Sequence, residues 1–454
     1  VSCTHGDELI VPGPPLASFE ADQGLPGAVD VVVVGGGIAG VCTALELLER
    51  GHSVALCEKG EIACEQSSRN WGWIRVSRRD VREIELVLEA QRGWGRMACR
   101  VGEDVGYVRS GIGFVAHDRQ ELERQERWLE HARPYRVRAR MLDGPAFRER
   151  FPGMDLSGVG ALVTDDDGRA EPQLAAPAIA RACRRLGGTI LTGCAVRGIE
   201  REAGAISAVI TEAGRIRCSA VVIAGGAWSS LFCASIGVRL PQLKLLSSAL
   251  RTAPLSAGPA TAFWTSRYSV RARIDGGYTV ATGHYNIADI VPDSFRYARQ
   301  FLPALRAEWN SIALRVGRQS LREFSTPRRW ALDQVSPFEK TRVLDPLPSE
   351  RHVRRALAAL ADDCKAFSEA RVEQVWAGMI DVTPDALPVI SGVADVPGLH
   401  IATGFSGHGF GIAPGAGRLM ADIVTGGTPV VDPAPFRLSR FEDGTPIVLE
   451  PSGV

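Results

Sequence analysis

The sequence predicts an α/β protein, in which a Rossmann-like domain assembled from separated segments carries an antiparallel-sheet α+β domain. Three observations predict it. A strand–turn–helix–strand unit fills residues 30–59, short strands and Arg-rich helices take over across 240–370, and a glycine-dense strand–loop–helix returns near residue 399. With 454 residues, 45% hydrophobic and 23% charged, the chain has enough apolar material for two domains.

Residues 1–29 are rich in Pro and Gly and read as an N-terminal arm, with no basic stretch and apolar core to suggest a signal peptide. Val31 to Val34 is too short and too β-branched for a helix and reads as a buried strand. Gly35, Gly37 and Gly40 follow with G-x-G-x-x-G spacing. The first permits the tight turn, the second lets a pyrophosphate approach the backbone, and the third lets helix and strand pack closely. The amides opening the helix then face the phosphates. Glu58 ends the second strand, where an acid accepts hydrogen bonds from ribose hydroxyls. No base directly precedes it, which disfavours a 2′-phosphate. The apolar run from Val29 to Leu48 approaches the length of a membrane span, but its three consecutive glycines and Glu46 oppose that reading. No membrane span is expected.

The loop GEIACEQSSRNWGWIRVSRRD leads to a helix expected from about Val81 to Cys99. Ser67, Ser68, Arg69 and Asn70 are either cofactor donors or ordinary loop and capping groups. Trp71, Trp73 and Arg75 either wall a pocket or supply core. A strand pair is expected around Gly106 to Ala116, then a solvated helix, QELERQERWLEHAR. Pro172 precedes another helix and two strands. In RCSAVVIAGGAWSS a strand opens into a helix, and Gly225 and Gly226 there serve a turn or a second approach to the same cofactor. From Leu240 to about Ala370 the pattern is an antiparallel sheet with helices, the candidate substrate domain. The glycines of GLHIATGFSGHGFGIAPGAG suggest a backbone approaching a large flat group. Residues 431–454 read as a C-terminal tail.

Lys+Arg and Asp+Glu both number 52, so nothing in the bulk charge attracts nucleic acid or an anionic membrane. The ten cysteines are scattered without C-x-x-C spacing. This suits reduced thiols in a cytoplasmic protein better than disulfides or a metal site.

The fingerprint at Gly35 to Gly40, the SSRNWG loop, AVVIAGGAWS, VTPDALPVI and GFSGHGFGIAPGAG together resemble the D-amino-acid oxidase and sarcosine oxidase family of FAD enzymes. The resemblance spans nearly all of Asp30 to Gly427. It implies a discontinuous FAD-binding domain (30–99, 156–239 and 371–430) beside a substrate domain (100–155 and 240–370). It places the ADP half of FAD at Gly35, Gly37, Gly40, Glu58, Ser68 and Arg69. Gly404, Ser406, Gly407, His408 and Gly409 then lie by the isoalloxazine, with Ala227 and Trp228 flanking the cofactor. Ile38, Ala39, Lys59, Ser67, Asn70, Trp71, Val196, Ala224, Gly225, Gly378 and Phe405 complete the lining. Some sarcosine oxidases link flavin to a cysteine near the VTPD turn; AGMIDVTPD has none, which implies non-covalent FAD. No second dinucleotide motif holds a nicotinamide.

The implied chemistry is hydride transfer from the carbon beside a neutral amine to flavin N5, giving an imine that hydrolyses. The leading expectation is an oxidase of a secondary amine or N-substituted amino acid of the sarcosine or iminodiacetate kind, with O2 reduced to H2O2. The alternatives are a D-amino-acid dehydrogenase using a quinone and a non-catalytic flavin-binding regulatory protein. Arg75, Arg271 and Arg273 are the expected carboxylate anchors, since arginine clamps a carboxylate with two parallel bonds. Trp71, Trp73 and Tyr268 are expected apolar walls. The family's oxygen-activating lysine maps near Thr279 and Val280, leaving Lys244, His284 and His408 as candidate catalytic groups.

Overall fold

The computed structural model describes residues 13–154 and 158–449. Two large sheets organise it. The first has six strands in the order Val389–Gly392, Leu399–Thr403, Ala220–Ile223, Val31–Val34, Val54–Cys57 and Thr189–Leu191. All neighbours are parallel except the first pair. Val31–Val34 lies at its centre, with Val32 opposite both Ala55 and Val221. Burial on both faces explains the unbroken valine run.

Helix Ile38–Glu49 leaves this central strand and packs against helix Gly409–Thr425, which also touches helix Ile84–Val101. Glycine makes those contacts close. A Cβ on Gly417 would lie 2.7 Å from the Cys42 carbonyl carbon, and one on Gly415 2.6 Å from the Leu86 carbonyl oxygen. Part of the glycine density expected to face a flat group therefore serves helix packing instead. Gly404 and Gly407 keep a different role, with φ of +72° and +82° in the loop before the helix.

The second sheet has ten strands and is mainly antiparallel. It runs from the edge strand Ile312–Arg315 through Leu243–Thr252 and Tyr268–Ala272 to Ile112–Ala116, Gly160–Thr164 and Ala139–Asp143. Val372–Val382 also pairs along Leu243–Thr252. Two expected boundaries therefore need correction. Gly160–Thr164 and Val372–Val382 belong to this sheet rather than to the parallel one, because hydrogen-bond pairing, not texture, assigns them. The expected strand pair near Gly106–Ala116 is one strand, Ile112–Ala116, plus a single bridge between Val108 and Arg169.

Both ends of the described chain are tied down. Within the arm, Asp22 Oδ2 accepts from the Ile190 amide at 2.8 Å, closing the edge of the parallel sheet. The expected tail forms short turns, and its Arg440 pairs with Asp385 at 2.8 Å, both buried. No helix among the described residues is long and apolar enough to cross a membrane. The nine cysteines described are all free.

Candidate active site

One cavity runs between the two sheets, lined from Val34 at the end of the central strand to residues as distant in sequence as Phe114, Trp264 and Glu308. Together with the open solvent it adjoins, the space measures about 2310 Å³. Its lining joins the glycine turn and Glu58 at one end to the aromatic and arginine side chains at the other, so one continuous space serves both.

At its inner end the turn geometry follows from glycine. Gly35 sits at φ +116°, and a Cβ there would lie 2.5 Å from the Ala224 carbonyl oxygen. A Cβ on Gly40 would lie 2.0 Å from the Gly35 carbonyl oxygen, so strand and helix can meet only without one. Gly37 N-caps helix Ile38–Glu49 with no side-chain cap, and Ser67 Oγ accepts from the Ile38 amide at 2.8 Å. Glu58 accepts from the amides of Gly36 and Gly60, each at 2.7 Å, and burial pushes its pKa up.

The loop after Leu399–Thr403 is locked from below. Asp381 accepts from the Gly404 amide at 2.7 Å and from Gln242 Nε2 at 3.0 Å. Burial raises its pKa to about 6. Ser406, at φ +49°, donates its amide to the Asp381 carbonyl at 2.9 Å. Phe405 to Gly411 thereby line the cavity at the start of helix Gly409–Thr425.

The opposite wall is aromatic and cationic. Trp71, Trp73, Phe114, Trp264, Arg75, Arg78 and Arg79 line it. Asp167, fully buried, shapes the arginine loop by accepting from the Val76 amide at 2.7 Å and from Ser77 Oγ. Burial pushes Asp167 up to about 6. Arg78 has φ +54°, a left-handed conformation uncommon outside glycine and worth a functional reading when observed. Its guanidinium lies 4.8 Å from the Trp264 ring centre and 5.2 Å from that of Phe114, and so rests against a pair of rings whose own centres are 5.8 Å apart. Among the described residues Arg78 makes no ion pair. Burial lowers Arg78 and Arg79 to about 10, so both stay protonated at neutral pH. His284 meets Trp264 edge-on at 4.6 Å, and burial, then Arg78, lower it to about 4. His408 faces Glu83 at 3.6 Å and is likewise lowered to about 4 by burial.

Of the residues expected from sequence, Gly35, Gly37, Ile38, Ala39, Glu58, Lys59, Ser67, Arg69, Asn70, Trp71, Trp73, Arg75, Val196, Ala224 and Gly225 line this cavity. So do Ala227, Trp228, His284, Gly378, Phe405, Ser406, Gly407, His408 and Gly409. Gly40, Ser68 and Gly404 sit just behind it. Arg69 mainly braces the loop, donating to the carbonyls of Cys64, Leu344 and Ala377 and to Asp345.

Four expectations are corrected. Arg271 is 1% exposed and pairs with Glu171 at 2.7 Å, so its charge is already spent inside the protein. Arg273 pairs with Asp275 at 3.0 Å, Tyr268 donates its hydroxyl to Asp363 at 2.8 Å, and Lys244 pairs with Glu323 at 2.7 Å. None of the four lines the cavity. Sequence reasoning missed Arg78, Arg79, Phe114 and Trp264. The available signal was the triple arginine of IRVSRRD directly after two tryptophans.

A family model described as DAO, FAD dependent oxidoreductase, matches residues 30–423. The chain belongs to this family. Among solved structures, the DAO-family chain is similar to L-amino acid deaminase from Proteus myxofaciens in complex with anthranilate: 33% identity, 96% of this chain and 98% of that one, TM-score 0.91. It is similar to L-amino acid deaminase from Proteus vulgaris at 34% identity, over 93% and 100% of the two chains, TM-score 0.89. Among curated proteins it is 25% identical to 4-methylaminobutanoate oxidase (formaldehyde-forming) of Paenarthrobacter nicotinovorans over 92% of this chain. It spans about half of that oxidase, 46%. The protein is thus an FAD-dependent oxidoreductase, and the relatives it resembles act on amino acids and amines.

Proposed function

We propose that the protein oxidises the Cα–N bond of an α-amino acid with an apolar or aromatic side chain, in the manner of a deaminase. The observation that carries this reading is Arg78, a buried guanidinium in the cavity wall that rests against Phe114 and Trp264 and makes no ion pair among the described residues. Left alone, such a charge is costly; a substrate carboxylate would satisfy it through a bidentate pair. The likeness to two L-amino acid deaminases at 33% and 34% identity supports the same class and the L configuration.

The cavity fits FAD on its own features: a helix start whose N-cap is a glycine and whose first amide is met only by Ser67, a half-buried acid at the second strand end and a turn that tolerates no Cβ. Gly35, Gly37, Ser67 and Glu58 would hold the adenosine end, and Phe405 to Gly409 the ring end, without a covalent link. When bound, FAD supplies a two-electron acceptor for the substrate hydride. The chain's own residues do the rest. Arg78 fixes the carboxylate, Trp73, Phe114 and Trp264 enclose the side chain and exclude water, and Arg75 and Arg79 disfavour a third positive charge. The amine therefore binds neutral, as hydride loss from its carbon requires. Water then converts the imine to a 2-oxo acid and ammonia.

Dioxygen, reduced to hydrogen peroxide, is the proposed electron acceptor. Since Lys244 is engaged elsewhere and His284 and His408 are held neutral, Arg75 and Arg79 are the cations left near His408. A second reading, oxidation of an N-methyl or N-carboxymethyl amino acid, is favoured by the likeness to 4-methylaminobutanoate oxidase.

One experiment separates the readings. Holoenzyme is mixed anaerobically with L-amino acids, D-amino acids and N-methyl amino acids, and loss of flavin absorbance is followed by product analysis and admission of air. Bleaching by L-amino acids, with 2-oxo acid and ammonia formed, is expected. Bleaching by N-methyl substrates alone would replace the first reading with the second, and absence of peroxide on admitting air would exclude dioxygen.

A further inference from the structure

One buried carboxylate behind the cavity is bonded to the loop that carries Arg78. Asp167 is 0% exposed and sits in the turn between strands Gly160–Thr164 and Gly168–Arg169. Its own backbone is fixed: the carbonyl accepts from the Gly111 amide at 2.8 Å, and Arg169, two residues on, exchanges backbone hydrogen bonds with Val108 at 2.8 and 2.9 Å. The two carboxylate oxygens divide the arginine loop between them. Oδ1 accepts from the Val76 amide at 2.7 Å and from Gln91 Nε2 at 2.9 Å. Oδ2 accepts from the Ser77 amide at 3.3 Å and from the Ser77 hydroxyl.

Ser77 is thereby held at every polar group, since its carbonyl accepts from Arg75 Nη1. The next residue is Arg78, at φ +54°. A residue with a side chain keeps that conformation only where its surroundings over-determine it. On the far side of Arg78, Trp128 Nε1 donates to the Arg79 carbonyl at 2.8 Å. An ionised carboxylate can accept all four bonds, but a protonated one cannot, because the oxygen that carries the proton becomes a donor. With the proton on Oδ2, the Ser77 hydroxyl can turn and accept it. The Ser77 amide, immediately before Arg78, is then left facing a donor.

We propose that Asp167 is a positioning residue for substrate binding: ionised, it holds Arg78 where a substrate carboxylate can meet it, and protonated, it lets the loop relax and weakens that binding. This role rests on the reading of Arg78 as the carboxylate anchor. Burial raises Asp167 to about 6 against the attraction of Arg75, so the hold is complete above that pH and is lost as pH falls through it. The charges that face Asp167 from the loop are Arg75 and Arg79. On its own turn, Asp165 and Asp166 point outward to Arg150 at 2.7 Å and Arg109 at 3.3 Å. Helix Ile84–Val101 presents the neutral Gln91. Glu83, just before that helix, is pushed up by burial but held below the usual carboxylate range by His408, Arg79 and Arg75. His284 and His408 titrate at about 4, below the window. Asp381, under the glycine loop, is also raised to about 6 by burial, so a variant must tell the two acids apart.

The test is calorimetric titration of FAD-loaded protein with benzoate, which has no amine and stays largely ionised down to about pH 5. From about pH 8 to about pH 5 the dissociation constant of the parent should rise about tenfold. Asp167→Asn keeps an acceptor at the Oδ1 position and puts a donor at the other. It should bind benzoate at high pH as weakly as the parent does at low pH, with no pH dependence, and with an amino acid its KM should rise while kcat is kept. Ser77→Ala, which removes only the hydroxyl, should weaken binding about threefold at high pH and retain the pH dependence. A constant that is flat with pH in the parent, or a pH dependence that persists in Asp167→Asn and so belongs to Asp381, would overturn the proposal. So would a lowered Tm in Asp167→Asn with benzoate affinity unchanged. Failure of the Arg78 reading looks different, because benzoate would then bind the parent and Arg78→Ala alike. A constant flat with pH yet weakened by Arg78→Ala would overturn the role of Asp167 alone.

Discussion

The adenosine end of the cavity and its arginine wall are built by different means. The first is local: within thirty residues, a strand, three glycines, a helix and an acid fix each other's positions. The second is assembled from distant pieces. Arg78 leaves a loop held by Asp167, and its aromatic partners come from two strands of the other sheet, Ile112–Ala116 and Ala262–Trp264. Local geometry tolerates no Cβ, whereas the arginine wall depends on which charge is left without a partner.

Gly40→Ala attacks the local half and should have the largest effect. A Cβ 2.0 Å from the Gly35 carbonyl oxygen cannot be accommodated without moving the turn. We expect a cost of at least about 3 kcal/mol and purified protein with little bound FAD, read from its absorbance. Retained FAD at full stoichiometry would show that helix and strand need not meet so closely.

Arg271 and Arg78 sharpen the comparison within the other half. Arg271→Ala should lose about 3 kcal/mol of stability, because the buried Glu171 carboxylate keeps Arg169 at 3.2 Å but loses its closer, two-bond partner, measured as a lower Tm, while KM is kept in the protein that folds. Arg78→Ala should leave Tm and FAD content nearly unchanged and weaken substrate binding by about 2–5 kcal/mol, measured as a rise in KM. If the two variants exchanged these behaviours, the assignment of the two arginines would be reversed.

Two smaller effects bear on the neutral groups. His284 has its pKa lowered to about 4, while its unfolded form protonates near the ordinary value of 6.5. The unfolded state therefore takes up the proton first as pH falls, and this histidine's contribution, fully present above about 6.5, is lost on the way down to 4. His284→Gln should make denaturant stability fall less steeply across that window; an unchanged slope would mean the ring is not held neutral. Lys244→Met should change the rate of reaction with dioxygen least of all, because Glu323 already holds that ammonium outside the cavity. A large loss of that rate would restore Lys244 as an oxygen-activating group.

The contrast explains what the sequence could disclose. Gly35, Gly37, Gly40 and Glu58 were legible because their spacing is itself the structural requirement, and so were the strand and helix that carry them. The glycine-rich return was legible as a feature but not in its division of labour: Gly404 and Gly407 turn the loop, while Gly415 and Gly417 let helices touch. Arg271 and Arg78 look alike in sequence. What separates them is Glu171, a hundred residues from Arg271 and bonded to it, whereas the acids nearest Arg78, Glu121 and Glu308, form no ion pair with it among the described residues.

The most direct test of the central claim, that Arg78 receives a substrate carboxylate, is anaerobic flavin bleaching by an L-amino acid and by the amine left after its decarboxylation. Parent protein and Arg78→Ala are compared. The parent should be reduced readily by the amino acid and poorly by the amine, and Arg78→Ala should lose most of that preference through weaker binding of the acid. Equal reduction of the parent by both compounds, or an undiminished preference in Arg78→Ala, would contradict it.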